Sequence, residues 1–177
     1  MQIAHDGGVF TTRRLADDSP DATALFDANR RLLTGFDLRD GVSHSEFIGA
    51  PDGFTFLETS ARVGGAYIVD VVEAATGVNL WREWARLEIA RGDRRYAVPP
   101  AAIGCAGIAL CLARQEHPDL STYQDPEIVV RIQRPHHAGL IVRSADPARV
   151  EALLDDYTAR FSRDFLATLP APERPAQ

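Results

Sequence analysis

Apolar positions along the chain change their period several times, and each change marks an element. Residues 8–15 read as a short extended entry. Ser19-Pro20-Asp21 then reads as a helix start, with Asp21 as candidate N-cap. Leu25, Asn29, Leu32, Leu33 and Phe36 follow at helical spacing, while Asp27, Arg30 and Arg31 lie mostly off that stripe. Gly35 and Asp40-Gly41 end the helix. Two strand-like runs come next, residues 42–48 and 54–62, joined by Gly49-Ala50-Pro51-Asp52-Gly53. That linker is strong turn chemistry, so the pattern predicts a hairpin. Gly64-Gly65 breaks the second strand. Residues 67–75 form an apolar stretch that closes on Thr76-Gly77, which suits a helix with a glycine C-cap. Asn79 is placed to cap another helix, with Leu80, Trp84, Leu87 and Arg91 on one face.

Pro99-Pro100 marks a boundary, and an apolar run follows over residues 103–112. Residues 127–133 and 139–144 read as two strands around the turn Arg134-Pro135-His136-His137. Asp146-Pro147 starts an amphipathic helix, with proline in its preferred first-turn position. Val150, Leu153, Leu154, Tyr157, Phe161 and Phe165 form its apolar stripe. The proline-rich tail, residues 170–177, is expected to be disordered. The chain therefore divides into an N-terminal unit over residues 1–98, a small α+β unit over residues 99–169, and the tail. It contains no internal repeat.

Composition narrows the picture. The 177 residues are 45% hydrophobic and 25% charged, a globular balance. The net charge of −6 argues against a surface that neutralises phosphate backbones, so no nucleic acid is expected. The N-terminus has no positive stretch leading into an apolar run, hence no signal peptide. No apolar segment reaches the roughly 18–20 residues that span a membrane. A soluble cytoplasmic protein is the expectation. Cys105 and Cys111 lack metal or redox spacing and read as packing residues. All 19 basic residues are arginine. Within this chain, any mechanism that needs a lysine is therefore excluded.

The hairpin carries the chemistry. Alternation puts Val42, His44, Glu46 and Ile48 on one face of its first strand, and Phe54, Phe56, Glu58, Ser60 and Arg62 on one face of its second. A turn centred on Asp52 places Glu46 directly opposite Glu58, roughly 5 Å apart at Cβ. Two carboxylates that close repel unless a cation lies between them, and a divalent ion with oxygen ligands answers that need. Ser60 can add an oxygen, and Arg62 supplies a planar cation for phosphate or carboxylate. Phe54 and Phe56 beside Glu58, with Phe47 and Leu57 opposite, suggest a ribbon covered on both faces. The alternative is an ordinary hairpin with Glu46 and Glu58 on its solvent face. His44 either orients Glu46 or is a satisfied core histidine. His136-His137 read as surface residues, Trp81 and Trp84 as core or interface aromatics, and Arg94-Arg95 as a solvated turn.

The run Gly41-Val42-Ser43-His44-Ser45-Glu46-Phe47, the turn, and Phe56-Leu57-Glu58-Thr59-Ser60-Ala61-Arg62-Val63-Gly64-Gly65 together resemble the signature of the ATP-grasp superfamily. The likeness continues to Thr76-Gly77-Val78-Asn79-Leu80 and spans about residues 22–92. It implies an α+β fold: the C-terminal lobe of an ATP-grasp domain over residues 1–98, with a small α+β subdomain behind it. It implies ATP and Mg2+ (or Mn2+) as cofactors, with Glu46 and Glu58 as the acidic metal ligands. Ser60 stands where the family usually has Asn, and serine coordinates more weakly. Arg62 matches the arginine beside the reacting acyl-phosphate, where it would stabilise developing charge. Gly64-Gly65 would let the backbone approach the substrate.

Such ligases activate a carboxylate with ATP and let an amine or another nucleophile attack it. They grip ATP between two lobes, and here only about 40 residues precede the Glu46 strand, none of them lysine. The expected partners are ATP, a small carboxylate, and a separate chain supplying the N-terminal lobe. A truncated gene product, one chain of a split enzyme, or a remnant kept as a non-catalytic binding module, alone or as a homodimer, would each fit.

Overall fold

The structure, a computed structural model, describes residues 8–50, 53–90 and 96–167. The tail, Arg91, Arg94-Arg95 and Pro51-Asp52 fall outside them. Among the described residues there are six strands and four helices. They belong to two compact units, one over residues 14–105 and the other over residues 1–13 with 106–177. The fold is α+β with antiparallel sheets.

In the first unit, helix α1 (Pro20–Gly35) starts where the sequence places it, but its cap is Ser19 and not Asp21. The Ser19 hydroxyl accepts from the Ala22 N–H at 3.2 Å. Pro20, whose φ is preset for the helix and which has no N–H to satisfy, follows the cap. Asp21 falls in the first turn, where its charge complements the helix dipole. The expected apolar stripe is poorly covered: Leu25, Leu32 and Leu33 are half-buried, Phe36 is exposed, and Ala22 alone is fully buried. The reason is the neighbour. Strands β2 (His44–Ala50) and β3 (Gly53–Ser60) pair only with each other, and a two-stranded ribbon offers little apolar surface to a helix.

Helices α2 (Ile68–Thr76) and α3 (Leu80–Ile89) complete the unit. Val69, Val71 and Ala75 are buried from α2, which ends as expected on Gly77 in the left-handed region at φ 77°. Asn79 caps α3 by accepting from the Arg82 N–H at 3.0 Å. The segment after α3 is drawn onto the end of α2 by an Ala102 N–H bond to the Thr76 carbonyl at 2.8 Å. Gly104 is required there, because a Cβ would lie 2.7 Å from the Ala75 carbonyl oxygen.

In the second unit, β4 (Cys105–Leu112), β5 (Ile128–Arg134) and β6 (His137–Ser144) join β1 (Phe10–Arg13) in one antiparallel sheet, ordered β1-β4-β6-β5. Helix α4 (Pro147–Asp164) starts on Asp146 and buries the whole predicted stripe through Phe165. Each such side chain contributes about 1.5–3 kcal/mol relative to exposure. Tyr123 enters this cluster between Tyr157 and Phe161, with ring centroids at 5.5 and 5.3 Å. The Arg160 guanidinium lies 3.8 Å over its ring.

Polar bonds then tie the loop before β5 to α4. The Tyr157 hydroxyl donates to Asp125 at 2.7 Å, and Arg149 donates to Glu127 at 2.8 Å and to Asp125 at 3.2 Å. The hydrogen bond from Arg149 holds the Glu127 carboxyl below its usual pKa. A depressed carboxylate pKa stabilises the fold above the ordinary range of about 4, and that stability fades as pH falls through the folded value. Arg149→Met is therefore expected to lower the denaturant midpoint at pH 7, with the gap to wild type narrowing on acidification. A gap that stays constant or widens would contradict this account of Arg149.

Candidate functional site

The ribbon brings the two expected carboxylates together. Glu46 pairs directly with Glu58, flanked by Ser45 opposite Thr59 and His44 opposite Ser60. Cross-strand partners share a face. His44, Glu46, Glu58 and Ser60 thus form one surface, while the Ser45 and Thr59 hydroxyls, 2.8 Å apart, lie on the other.

The register changes at Phe47. It pairs with Phe56, which leaves Leu57 as the extra residue of a β-bulge. The bulge turns Phe56 to the Ser45–Thr59 face, where its ring meets Phe47 edge-on with centroids 5.8 Å apart. Phe54, opposite Gly49, follows it there. The expectation that Phe54 and Phe56 share the face of Glu58 is thereby overturned. Full cover on both faces is absent too: Phe56 is 42% and Leu57 40% exposed. Glu46 and Glu58 are also exposed.

The remaining candidates follow along the chain. Ser60 is half-buried at the end of β3. Arg62 lies beyond the strand in an exposed bend, where it donates to the Val63 carbonyl at 2.8 Å and has no carboxylate partner among the described residues. Gly65 is exposed, and a Cβ there would meet nothing within 4 Å. No packing within the chain therefore requires glycine at Gly65. The residues after it, Ala66 and Tyr67, both take left-handed φ, at 49° and 60°. Such backbone costs energy in residues other than glycine and concentrates at functional loops.

The electrostatics are those of an uncompensated pair. Glu46 is bonded to His44 Nε2 at 3.1 Å. Among the described residues Glu58 has no side-chain partner, and no arginine reaches either carboxylate. The oxygen donors available are two carboxylates and one hydroxyl, a hard set that fits Mg2+ or Mn2+. No group of three or more His, Cys, Asp or Glu gathers anywhere among the described residues.

The other candidates lie outside this surface. His136, at φ 58°, forms the β5–β6 turn, and His137 Nδ1 is bonded to the Pro135 carbonyl. Trp81 and Trp84 stack at 6.1 Å, with Trp81 exposed. The two thiols are free; Cys111 is buried, and burial raises its pKa to about 11. The sequence reading missed the buried Glu83, which accepts from Arg86 at 2.9 Å and from the Tyr96 hydroxyl at 3.3 Å. The signal was its place between Leu80 and Leu87 on the inner stripe of α3, with Arg86 one turn on.

Comparison of the sequence with protein families and with curated proteins finds no match. Comparison of the fold does. The structure is similar to the crystal structure of phosphoribosylglycinamide synthetase from Anaerococcus prevotii, an ATP-grasp enzyme, with a TM-score of 0.60 at 11% identity. At that identity the likeness is one of fold, an α+β arrangement like that of an ATP-grasp lobe. The likeness covers 90% of this chain and 45% of the synthetase, so the chain spans less than half the length of its neighbour.

Like charges directly opposite on a ribbon destabilise it by about 0.2–1 kcal/mol. Glu58→Gln is accordingly expected to leave the fold intact and raise its stability by that amount in low salt, with the gain shrinking as salt is added. A loss of stability on chemical denaturation would show that Glu58 makes a favourable contact instead.

Proposed function

We propose that the chain supplies the metal- and phosphate-facing half of an ATP-dependent carboxylate ligase. The observation that carries this reading is the Glu46–Glu58 register pair, two carboxylates held opposite each other with no arginine to neutralise them among the described residues. Glu46, Glu58 and Ser60 would hold Mg2+ (or Mn2+), which when bound supplies positive charge against the phosphates of ATP. Arg62 lies two residues beyond the end of β3, without a carboxylate partner among the described residues, and would meet a substrate carboxylate or the phosphoryl group being transferred. Gly65 leaves room beside it for the substrate. The work asked of these residues is positioning and charge neutralisation, the main contributions in phosphoryl transfer.

Catalysis would need a second polypeptide carrying the opposite lobe and the cationic groups on the nucleotide. In the unit over residues 14–105, Phe26, Phe36, Ile48, Phe56 and Leu57 are all exposed, apolar side chains of the kind a partner covers. The rival reading is a non-catalytic module, alone or as a homodimer. It is favoured by the donor set, which has a serine hydroxyl where the family places an amide.

The two readings part on metal binding. Titrated with Mn2+, the full chain is expected to bind the ion, and to lose that binding on Glu46→Gln or Glu58→Gln but not on Glu116→Gln. Binding that ignores the first two substitutions would remove the ligase assignment.

A further inference from the structure

His44 is the only imidazole on the acidic face among the described residues, and it is held on two sides. Its Nε2 lies 3.1 Å from Glu46 Oε1. An ionised carboxylate can only accept, so Nε2 carries the hydrogen and donates it. On the other side the ring rests against Gly64, where a Cβ would lie 3.0 Å from His44 Nδ1 and 3.2 Å from Ile68 Cγ2. The His44 side chain is 19% exposed and that of Glu46 45%. A half-buried, packed donor thus grips a carboxylate on a long side chain that solvent would otherwise leave free to turn.

That grip opposes a definite force. Glu58 faces Glu46 across the ribbon and repels it, and the cheapest relief for an exposed glutamate is to rotate away. Rotation would separate the oxygens that a cation needs together. We infer that His44 is a positioning residue, whose Nε2–H holds the Glu46 carboxylate beside Glu58 so that the pair meets a divalent cation already arranged. Gly64 is the contact that keeps the ring in place. The inference deepens the proposed function and rests on its metal reading.

Side-chain geometry supplies the test. The amide nitrogen of glutamine reaches where Nε2 sits, that of asparagine stops near Nδ1, and phenylalanine fills the space with no donor. Mn2+ binding to the full chain is followed by electron paramagnetic resonance of the free ion, beside thermal unfolding of each variant. His44→Phe and His44→Asn are expected to weaken Mn2+ binding about 10-fold, the usual effect of removing a group that orients a ligand. His44→Gln is expected to restore it, and Gly64→Ala to reproduce the loss by displacing the ring. Nitrogen NMR of the His44 ring in the metal-free chain is expected to show a hydrogen on Nε2.

The outcomes separate. If Glu46→Gln and Glu58→Gln leave Mn2+ binding unchanged, the metal reading falls and this inference falls with it. If those two abolish binding while His44→Phe and His44→Asn do not weaken it, the positioning role alone is overturned. The same follows if His44→Gln binds as poorly as His44→Phe, or if Nε2 carries no hydrogen.

Discussion

Two carboxylates facing each other across a two-stranded ribbon are an arrangement that folding by itself disfavours. Glu46 and Glu58 occupy it nonetheless, in direct register and with no arginine between them among the described residues. The cost is modest because the pair is exposed and water screens it. The surroundings hold the arrangement. His44 fixes one carboxylate, the hydroxyl pair Ser45–Thr59 and the Phe47–Phe56 contact lock the strands from the opposite face, and the bulge at Leu57 lets both faces be satisfied at once. A ribbon with a free register would slip one residue and put Glu58 on the other side.

The two units solve the stability problem differently. In the unit built on β1 and β4–β6, one continuous aromatic cluster along α4 supplies the core. Charged groups around it, Arg149, Asp125 and Glu127, lie where they can pair. The unit over residues 14–105 buries far less. Among the described residues its ribbon has no third strand, α1 buries a single residue, and a carboxylate, Glu83, sits inside the α2–α3 layer. The acidic pair belongs to this less buried unit.

Much of this was legible because local chemistry dictates it. The turn residues and two alternating strands announce the hairpin, and the stripe from Val150 to Phe165 fixes the face of α4. A turn centred on Asp52 anticipates the Glu46–Glu58 pair, but the strands close as Ala50 opposite Gly53, and it is the bulge at Leu57 that brings Glu58 opposite Glu46. The bulge was not legible, since Phe56 and Leu57 are both apolar and no glycine marks the break in alternation. The cap of α1 was misplaced by two residues because Ser19 and Asp21 are both good caps; Pro20 between them decides for Ser19. The pairing of β1 with β4 rests on contacts across about a hundred residues, and nothing near Phe10 announces them. The role of His44 lay in its ring packing on Gly64, a contact between segments that sequence spacing cannot reveal.

The claim that the acidic pair is a cation site is tested most directly by locating the ion. Substoichiometric Mn2+ added to the isotope-labelled chain broadens the amide signals of the nearest residues. The account predicts that residues 44–47 and 57–60 broaden first, with the 125–127 and 156–164 carboxylate clusters unaffected at the same concentration. Broadening that begins at those clusters, or spreads evenly over every exposed acid, would contradict it.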